Sequence, residues 1–301
     1  MGLAEPQAAG ARGTGCRVCG SPAVVLWLRK QGFPVHRCRI CENAFVPEVA
    51  VPPDLESLYA PSYFAGENET GYPTYRRDAA VLERNFARRL AWLGSLRPPG
   101  RLLDVGAAYG FCLKVARERG WEAMGVEIAA ECAAAAERLA GVPVVVGDFL
   151  RADLAGPFDV ITMFDVLEHF RDPGACVRRA ADLLAPGGLL AIETGDLGSP
   201  WARLLGRSWY FLDPPQHLAY FTATGLVRLL ERQGFGGPIR RRRLGRWVSL
   251  ANVAFKLSHH APSMILRRLA ERAWRGGLRG AVYLNFGDGM LVVAPRAGGR
   301  A

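Results

Sequence analysis

The sequence predicts an α/β protein with a doubly wound sheet and a small N-terminal metal-binding ribbon. Three observations predict this fold class. From residue 101 to 193, short apolar segments alternate with helical patterns, as in parallel sheets with crossover helices. Two Cys-x-x-Cys pairs lie near the N-terminus. Half of the 301 residues are hydrophobic, which is enough for a large buried core.

The cysteine pairs are the clearest signal before the alternating region. Cys16 and Cys19 form the first pair and Cys38 and Cys41 the second, with 18 residues between the pairs. This spacing is typical of a closed four-thiolate zinc site, in which the ion is structural. Disulfides or a redox dithiol are the alternatives, but no export signal is visible and the pairs lie outside a βαβ unit. We therefore predict a zinc ribbon over residues 14–48.

The other segments before residue 98 are assigned by composition. Residues 1–13 are rich in Ala and Gly, and we expect a flexible leader. Prolines follow the ribbon, and apolar residues at helical intervals over residues 76–94 predict an amphipathic helix. We interpret residues 49–97 as a linker with a helical segment that covers the substrate. The main domain is expected over residues 98–296.

The main domain begins with the alternating region. Each predicted helix ends at a glycine or at Pro-Gly-Gly, which are common helix stops. Strands that alternate with helices of this length pair in parallel, so a doubly wound sheet is expected. The predicted strands are 101–105, 121–126, 142–146, 158–164 and 189–193, and the predicted helices are 110–119, 129–140 and 173–184.

After residue 194 the alternation stops. A loop rich in Trp, Tyr and Pro runs to residue 221, and a helix over residues 222–233 begins at Thr222, a residue type suited to cap a helix. Strands 236–244 and 289–294 are expected to complete a seven-stranded sheet. Between them, residues 250–280 are predicted to form a helical insertion that carries several arginines.

The net charge is +10, with arginines along the whole chain. We interpret the densest run, Arg240–Arg243, as an edge strand with solvated arginines; the alternative is a patch for an anionic substrate, a membrane surface or nucleic acid. No aromatic residues are interleaved with the run and no nucleic-acid-binding motif accompanies it, which argues against nucleic acid.

The hydropathy pattern limits the cellular location. No apolar run approaches the roughly 20 residues of a membrane-spanning helix. The N-terminal residues also lack the apolar core of an export signal. We expect a cytoplasmic protein, for which peripheral contact with a membrane stays open.

Polar groups follow the first two predicted strands of the main domain. The first strand ends in Asp104 and leads through Gly106 and Gly110 into a helix, and glycines in such a turn let the backbone approach a ligand. The loop lacks the Gly-x-Gly-x-x-Gly spacing of dinucleotide sites and the lysine of a P-loop. Glu127 lies at the tip of the second strand, 23 residues after Asp104, where a carboxylate can accept hydrogen bonds from ribose hydroxyls.

The third predicted strand adds a further pair of residues. Asp148 can accept a hydrogen bond from an exocyclic amine, and the adjacent Phe149 can cover a purine face. Because the carboxyl ends of parallel strands meet at one edge of a sheet, the three strand ends are expected to converge on one nucleoside. For the first loop alone, a tight turn in an ordinary α/β protein is the alternative.

In this order, the motifs resemble class I S-adenosylmethionine-dependent methyltransferases, whose seven-stranded sheet is Rossmann-like. The likeness covers residues 101–193 and includes Leu-Leu-Asp-Val-Gly-x-x-x-Gly, Gly-Asp-Phe, and the run from Phe158 through His169. Ala108 stands where many members carry a glycine. The resemblance implies Glu168 and His169 as structural residues of the turn after the fourth strand.

The resemblance also implies a cofactor site for S-adenosylmethionine. Its residues would divide among the parts of that cofactor: Asp104, Gly106 and Gly110 near the methionine part, Glu127 at the ribose, Asp148 and Phe149 at the adenine, and Phe164 and Asp165 at the sulfonium.

The acceptor side is predicted in the loop after the fifth strand, where open α/β sheets bind ligands. His217 lies in this loop, and the ordinary pKa of histidine suits proton abstraction near neutrality. The ribbon together with the His-Leu-x-Tyr-Phe-Thr segment looks like bacterial sugar C-methyltransferases that act on nucleotide-linked keto-sugars. It also looks like methyltransferases of glycan or natural-product hydroxyls. This resemblance implies His217 as the base, helped by a linker tyrosine such as Tyr63, while Gln216 replaces a glutamate of the sugar enzymes. A histidine that packs the loop is the alternative.

These expectations combine into one function and two competing ones. We expect methyl transfer to a small-molecule acceptor, a sugar or other secondary metabolite of natural product biosynthesis, at carbon or oxygen; the basic residues allow that acceptor to be anionic. One alternative is a macromolecular acceptor, RNA or protein, gripped by the ribbon, although the signature of base amino-group methylation is missing after the fourth strand. The other is a non-enzymatic scaffold, which the intact acidic set argues against.

Overall fold

The structure is a computed structural model that describes residues 15–52, 77–260, 263–276 and 278–298. The predicted leader, most of the predicted linker and Tyr63 lie outside these ranges. Within them, no helix combines the length and the apolar character needed to cross a membrane.

The elements alternate along the chain much as the sequence predicts. The strands are β1 (Val24–Lys30), β2 (Phe33–Cys38), β3 (Ala44–Phe45), β4 (Arg101–Val105), β5 (Glu122–Glu127), β6 (Val144–Val146), β7 (Phe158–Phe164), β8 (Leu184–Gly195), β9 (Ala219–Tyr220), β10 (Arg240–Ser249) and β11 (Ala281–Pro295). The α-helices are α1 (Ala79–Leu96), α2 (Phe111–Glu118), α3 (Ala130–Ala140), α4 (Pro173–Leu183), α5 (Pro200–Leu205), α6 (Ala223–Arg232), α7 (Leu250–His260) and α8 (Met264–Arg275).

The main sheet has seven strands in the order β10-β11-β8-β7-β4-β5-β6. The five strands from β8 to β6 are parallel, and β11 runs antiparallel to both β8 and β10. This confirms the predicted seven-stranded Rossmann-like sheet. The strand order reverses between β4 and β7, and ligands of open α/β sheets bind at such a switch point.

The two faces of this sheet bury separate cores. In β4, Leu102 belongs to a cluster that includes α1, α2 and α3, whereas the next residue, Leu103, belongs to a cluster that includes α4 and α6. The same alternation recurs in β7 at Val160 and Ile161. Because consecutive strand side chains point to opposite faces, helices cover both sides of the sheet, as a doubly wound fold requires.

A second, smaller sheet joins the N-terminal ribbon to the rest of the chain. Its order is β1-β2-β3-β9, so three strands come from the ribbon and the fourth from the loop before α6. Ala44 pairs with Tyr220 and Phe45 with Ala219. The ribbon therefore completes its sheet with a strand of the larger unit.

Three predicted elements have different bounds. β8 begins at Leu184 rather than 189, because the Pro-Gly-Gly segment lies within the strand where its register against β7 shifts. β10 and β11 form a longer antiparallel pair than predicted, since they continue to pair with each other beyond Gly195, the end of β8. The predicted edge position of Arg240–Arg243 is confirmed: β10 is the outermost strand, and all four arginines are exposed.

Candidate active site

The loop from β4 to α2 lies at the carboxyl edge of the sheet and contains residues with positive φ. Gly106 and Gly110 have φ of 71° and 82°, in the left-handed region that favours glycine. A Cβ on Gly110 would lie 2.7 Å from the Ala136 backbone, so this glycine lets α2 approach α3 closely. Ala108, between these two glycines, also has a positive φ, of 45°. This alanine therefore adopts a strained conformation.

Glu127 joins this loop to the start of α3. Its carboxylate accepts hydrogen bonds from the backbone N–H of Ala108 at 2.8 Å and from that of Ala129 at 3.0 Å. Burial raises the pKa of the carboxyl, while these backbone donors favour the charged form. A carboxylate has about four lone-pair positions, so two such bonds leave capacity for ribose hydroxyls. Glu127 thus shapes the cofactor loop and still offers acceptors to a ligand.

Asp104 is buried at the end of β4. Thr162 on β7 donates its hydroxyl to the Asp104 carboxylate at 2.6 Å. Burial raises the pKa of Asp104 to about 7, and the Thr162 hydroxyl opposes that shift. The aspartate can therefore change its charge near neutrality if a cationic group approaches it.

Asp148 and Phe149 follow β6 at the same edge of the sheet. The Asp148 carboxylate accepts the backbone N–H of Leu150 at 3.0 Å and is half-buried. Phe149 is buried and packs edge-on against Phe170 with ring centroids 6.3 Å apart. The aspartate lies at the carboxyl end of its strand, whereas the phenylalanine ring belongs to the core cluster around α4.

The end of β7 carries Phe164 and Asp165. Phe164 stacks on Phe86 of α1 at 6.1 Å between centroids. Asp165 has a positive φ of 55°, which turns the chain sharply after the strand. Its carboxylate lies 3.5 Å from the guanidinium of Arg246 on β10.

A buried ion pair that the sequence did not indicate lies beside Asp165. Arg89 of α1 forms a bidentate pair with Glu193 of β8, with Nη2 2.5 Å from Oε1, and both side chains are buried. Arg246 approaches the same glutamate at 3.4 Å. Glu193 ends the predicted fifth strand, so its position at the carboxyl edge was a usable signal. Arg89 gave no such signal, because it lies within the amphipathic pattern that predicts the helix over residues 76–94.

His217 is fixed by its own loop. Its Nδ1 lies 2.7 Å from the Phe211 carbonyl oxygen, so this nitrogen carries the proton and donates it. The Phe211 ring packs on the imidazole with centroids 4.3 Å apart, and Tyr220 donates its hydroxyl to the His217 carbonyl at 2.8 Å. This tautomer leaves Nε2 as the basic nitrogen.

His169 and Glu168 lie directly behind His217. The imidazole rings of His169 and His217 meet edge-on at 4.9 Å, and His169 Nδ1 lies 2.7 Å from the Gln216 carbonyl oxygen. Burial lowers the pKa of His169 to about 4, and the adjacent His217 adds to that shift. Burial also raises the pKa of the fully buried Glu168 well above its usual range. One ligand atom from each of these three residues lies within 4.8 Å of the others, so they form a polar cluster.

Two more residues near the His217 loop were missed by the sequence reasoning. Asp288 of β11 is buried and accepts the Trp209 indole N–H at 2.8 Å. Tyr210 also interacts with Asp288. The lone acidic residue in the Phe-Gly-Asp-Gly segment of the last strand was a signal for Asp288.

The four predicted zinc ligands converge. The sulfurs of Cys16 and Cys41 are 3.5 Å apart, as are those of Cys19 and Cys38, and all four lie within 4.8 Å of one another. None of the four cysteines is in a disulfide. A tetrahedral ZnS₄ site with bonds of about 2.3 Å needs sulfur separations of about 3.8 Å, so this donor set fits zinc.

This arrangement defines a class of protein: a class I S-adenosylmethionine-dependent methyltransferase, with the acidic strand ends at the cofactor edge and a polar loop beside it. Residues 75–236 match the family model described as a methyltransferase domain, which is more than half of the chain. The chain belongs to this family, Methyltransf_23.

Curated relatives match parts of the chain. The ubiquinone biosynthesis O-methyltransferase of Caulobacter sp. (strain K31) is 37% identical over 101 residues, 31% of this chain and 40% of that protein. The enzyme of the same name from Bradyrhizobium sp. (strain ORS 278) is 34% identical over 143 residues, 45% of this chain and 51% of that protein. The chain thus spans about half or less of the length of these relatives.

Solved structures share the fold. The YcgJ protein from Bacillus subtilis superposes with a TM-score of 0.51 at 15% identity, over 72% of this chain and 100% of that chain. A chain of the Haloferax volcanii complex between the Trm112 methyltransferase activator and a methyltransferase gives a TM-score of 0.51 at 14% identity, over 82% of this chain and 99% of that chain. At such identities the likeness shows the fold alone.

Proposed function

We propose that this methyltransferase acts on a small-molecule acceptor, a sugar or other secondary metabolite, at a hydroxyl oxygen or an enolisable carbon, with His217 as the base. The observation that carries the proposal is the way in which the ribbon and the His217 loop support each other. Both kinds of acceptor atom must lose a proton before or during methylation, so both need a base beside the cofactor.

Hydrogen bonds join the ribbon to the chain just after His217, at Leu218 and Thr222. Val46, just after β3, donates its N–H to the Leu218 carbonyl at 2.9 Å, and Leu218 donates to the Glu168 carbonyl at 2.8 Å. Thr222 donates its hydroxyl to the Cys41 carbonyl at 3.1 Å and its backbone N–H to the Asn43 side chain at 2.6 Å. These hydrogen bonds use this side of the ribbon to hold the proposed acceptor loop. This favours a small-molecule site over a ribbon that binds RNA or protein.

The chemistry assigned to this chain's residues is positioning and proton removal. Bound S-adenosylmethionine supplies an electrophilic methyl group on a sulfonium. His217 Nε2 would take the proton that the acceptor atom loses when it receives the methyl group, and the remaining cofactor product would be a neutral thioether, so charge and atoms would balance. The Phe211 carbonyl stabilises the imidazolium that forms because it accepts the Nδ1 proton throughout.

The cofactor residues belong to the same proposal. Asp104, Gly106 and Gly110 would hold the methionine part, with Glu127 at the ribose and Asp148 at the adenine. Phe149 would support the adenine site from the core, since its ring is buried against Phe170. Phe164 and Asp165 would line the sulfonium region, beside Arg246.

The test is a His217→Asn variant, in which the amide nitrogen can still donate to the Phe211 carbonyl but no base remains. We expect its turnover number to fall by about 10²–10⁴-fold, while its affinity for S-adenosylmethionine stays within about threefold of wild type. Acceptors would come from a screen of nucleotide sugars, phenols and polyketides with methyl-labelled cofactor. Product analysis then distinguishes oxygen from carbon as the acceptor atom.

His36→Asn is the matched control, since His36 lies on β2 in the ribbon and contacts Phe45 rather than the loop. Full turnover by His217→Asn on an identified small acceptor would refute the base assignment. Label that enters only RNA or protein would refute the small-molecule assignment.

A further inference from the structure

Helix α8 displays large apolar side chains to solvent. Met264, Ile265, Leu266 and Leu269 are each more than half exposed. Four such residues within six positions form a patch rather than isolated exposure, and soluble proteins seldom leave patches of this kind without a role. We name these four residues the α8 patch.

Three residues of the α8 patch, Ile265, Leu266 and Leu269, lie on one side of an amphipathic helix, and Met264 is the first residue of that helix. Ile265 and Leu269 lie one turn apart, and Leu266 adjoins them. Ala270 and Ala273 are half-buried and follow Leu266 and Leu269 by one turn on the same side, and α8 packs along α7. Exposed arginines occupy the remaining arc of the helix: Arg267, Arg268, Arg272 and Arg275.

The charged residues around the patch are almost all basic. Residues 246–280, which run from the end of β10 through both helices, contain six arginines and one lysine but a single acidic residue, Glu271, so the net charge of this segment is +6. Glu271 is itself paired with Arg275 at 2.7 Å. A partner surface for this region must therefore be anionic.

The fold places α7 and α8 at the edge of the sheet that carries the active site. β10 and β11 continue past Gly195, the carboxyl end of β8, and α7 and α8 connect the ends of that extension. The backbone N–H of Leu250 donates to the Gly280 carbonyl at 3.0 Å and closes the base of the helical pair. The patch thus lies beyond the same edge as Asp165, Glu193 and the His217 loop.

We infer that α8 docks this enzyme on an anionic membrane surface, lying in the plane of the interface with the α8 patch among the lipid chains and its arginines among the phosphates. An apolar face bordered by arginines fits a bilayer boundary, which offers both hydrocarbon and negative charge. Nucleic acid offers the charge but takes up no apolar patch. A second copy would bring an equally basic segment against this one, and like charges repel.

The docking inference does not depend on the identity of the acceptor. It places the mouth of the methyl-transfer site beside the interface, because the patch and the site share one sheet edge. No helix in the described part of the chain is apolar enough to span a bilayer, so the contact is peripheral.

The experiment measures co-sedimentation of the full chain with vesicles. We expect binding to phosphatidylcholine vesicles that contain phosphatidylglycerol and at least about tenfold weaker binding to vesicles of phosphatidylcholine alone. The double variant Ile265→Glu, Leu269→Glu should bind the anionic vesicles more than about a hundredfold more weakly than wild type. Arg268→Gln with Arg272→Gln should weaken binding about thirtyfold.

Matched controls change the same chemistry elsewhere. Val49→Glu with Leu139→Glu alters two other exposed apolar residues, and Arg119→Gln with Arg178→Gln removes two other exposed arginines. Both controls should bind vesicles as wild type does, and all variants should keep wild-type affinity for S-adenosylmethionine.

Three results would overturn the inference. One is no binding to anionic vesicles, and another is equal loss in the controls. The third is a concentration-dependent dimer, seen by analytical ultracentrifugation, that the patch variants dissociate while vesicle binding is absent. That last result would assign the α8 patch to self-association. None of these outcomes bears on whether His217 is the base, which the acceptor assay tests separately.

Discussion

The region proposed to bind the cofactor (the cofactor half) and the region proposed to bind the acceptor (the acceptor half) are built in different ways. Around the proposed cofactor site the contacts span fewer residues: Glu127 reaches back 19 residues to Ala108 and forward two to Ala129, and Asp104 meets Thr162 across 58. Around the proposed acceptor loop, Gln31 meets Asp213 across 182 residues, and Asn43 meets Thr222 across 179. The first half is encoded by consecutive βαβ units, whereas the second is assembled from segments that only the complete fold brings together.

This difference has an energetic consequence. The strand ends of the cofactor half are supported by hydrogen bonds within a buried parallel sheet. The His217 loop is instead supported by the ribbon, which is too small to be stable without a metal or a partner surface. Loss of the zinc ion that we propose for the four cysteines should therefore damage the two halves unequally.

Removal of the metal gives the largest expected effect. Structural zinc contributes on the order of 10 kcal/mol to the folding of small cysteine-rich units. Cys38→Ser should lower the zinc content to well below one per chain and abolish acceptor turnover, because the β3–β9 pairing fails. Hydrogen exchange should show lost protection over residues 15–46 and 209–222 but retained protection over 101–149.

Cys176→Ala is the control, since this buried thiol lies in α4 away from the four-cysteine cluster. It should keep zinc, exchange protection and turnover. If Cys38→Ser lost protection evenly over both halves, the proposed independence of the cofactor half would be wrong.

The same contrast explains what the sequence could predict. Strands β4 to β7 and their helices were predicted nearly to the residue, because buried parallel strands and glycine-stopped helices leave strong local patterns. The predicted helix cap at Thr222 is confirmed, as its side chain accepts the Gly225 N–H at 3.0 Å. The convergence of the four cysteines followed from spacing alone.

The rest depended on long-range partners. A buried arginine such as Arg89 looks like any polar position of an amphipathic helix until Glu193 is placed beside it. The contacts of Glu168 and His169 likewise form only when the loop that carries His217 folds over them: His169 packs against His217, and the Glu168 carbonyl accepts the Leu218 N–H. β9 is two residues long and has no pattern of its own, since its pairing partner lies in the ribbon.

The pH dependence of stability tests the charge state of Asp104 in the cofactor half. Burial holds the pKa of Asp104 at about 7, above an unfolded value near 3.9. The native state therefore binds this proton more tightly, so the contribution to stability is greatest below about pH 4 and is lost as pH rises to about 7. Asp104→Asn cannot titrate, and between pH 5 and 8 its free energy of unfolding should gain on the order of 3 kcal/mol relative to wild type.

Urea denaturation across this pH range makes the measurement, and Asp159→Asn is the control with the opposite sign. The backbone N–H of Arg101 lowers the pKa of Asp159, so that carboxyl stabilises the fold above its unfolded pKa. Asp159→Asn should be less stable than wild type near neutrality and should gain nothing toward pH 8. Parallel pH curves for wild type and Asp104→Asn would show that Asp104 keeps one charge state throughout.

The smallest effect tests whether the cofactor loop carries backbone strain. Ala108 has a φ of 45°, which costs an L-residue roughly 1 kcal/mol and costs glycine nothing. Ala108→Gly keeps the N–H that Glu127 accepts, so it should raise the free energy of unfolding by about 0.5 kcal/mol after the entropy of the unfolded glycine is subtracted. Ala134→Gly, within helix α3, should instead lower it by about 1 kcal/mol. Opposite signs for these two substitutions in urea denaturation at equal m-value would locate the strain in the loop, and a loss of stability in both would place the loop in a relaxed conformation.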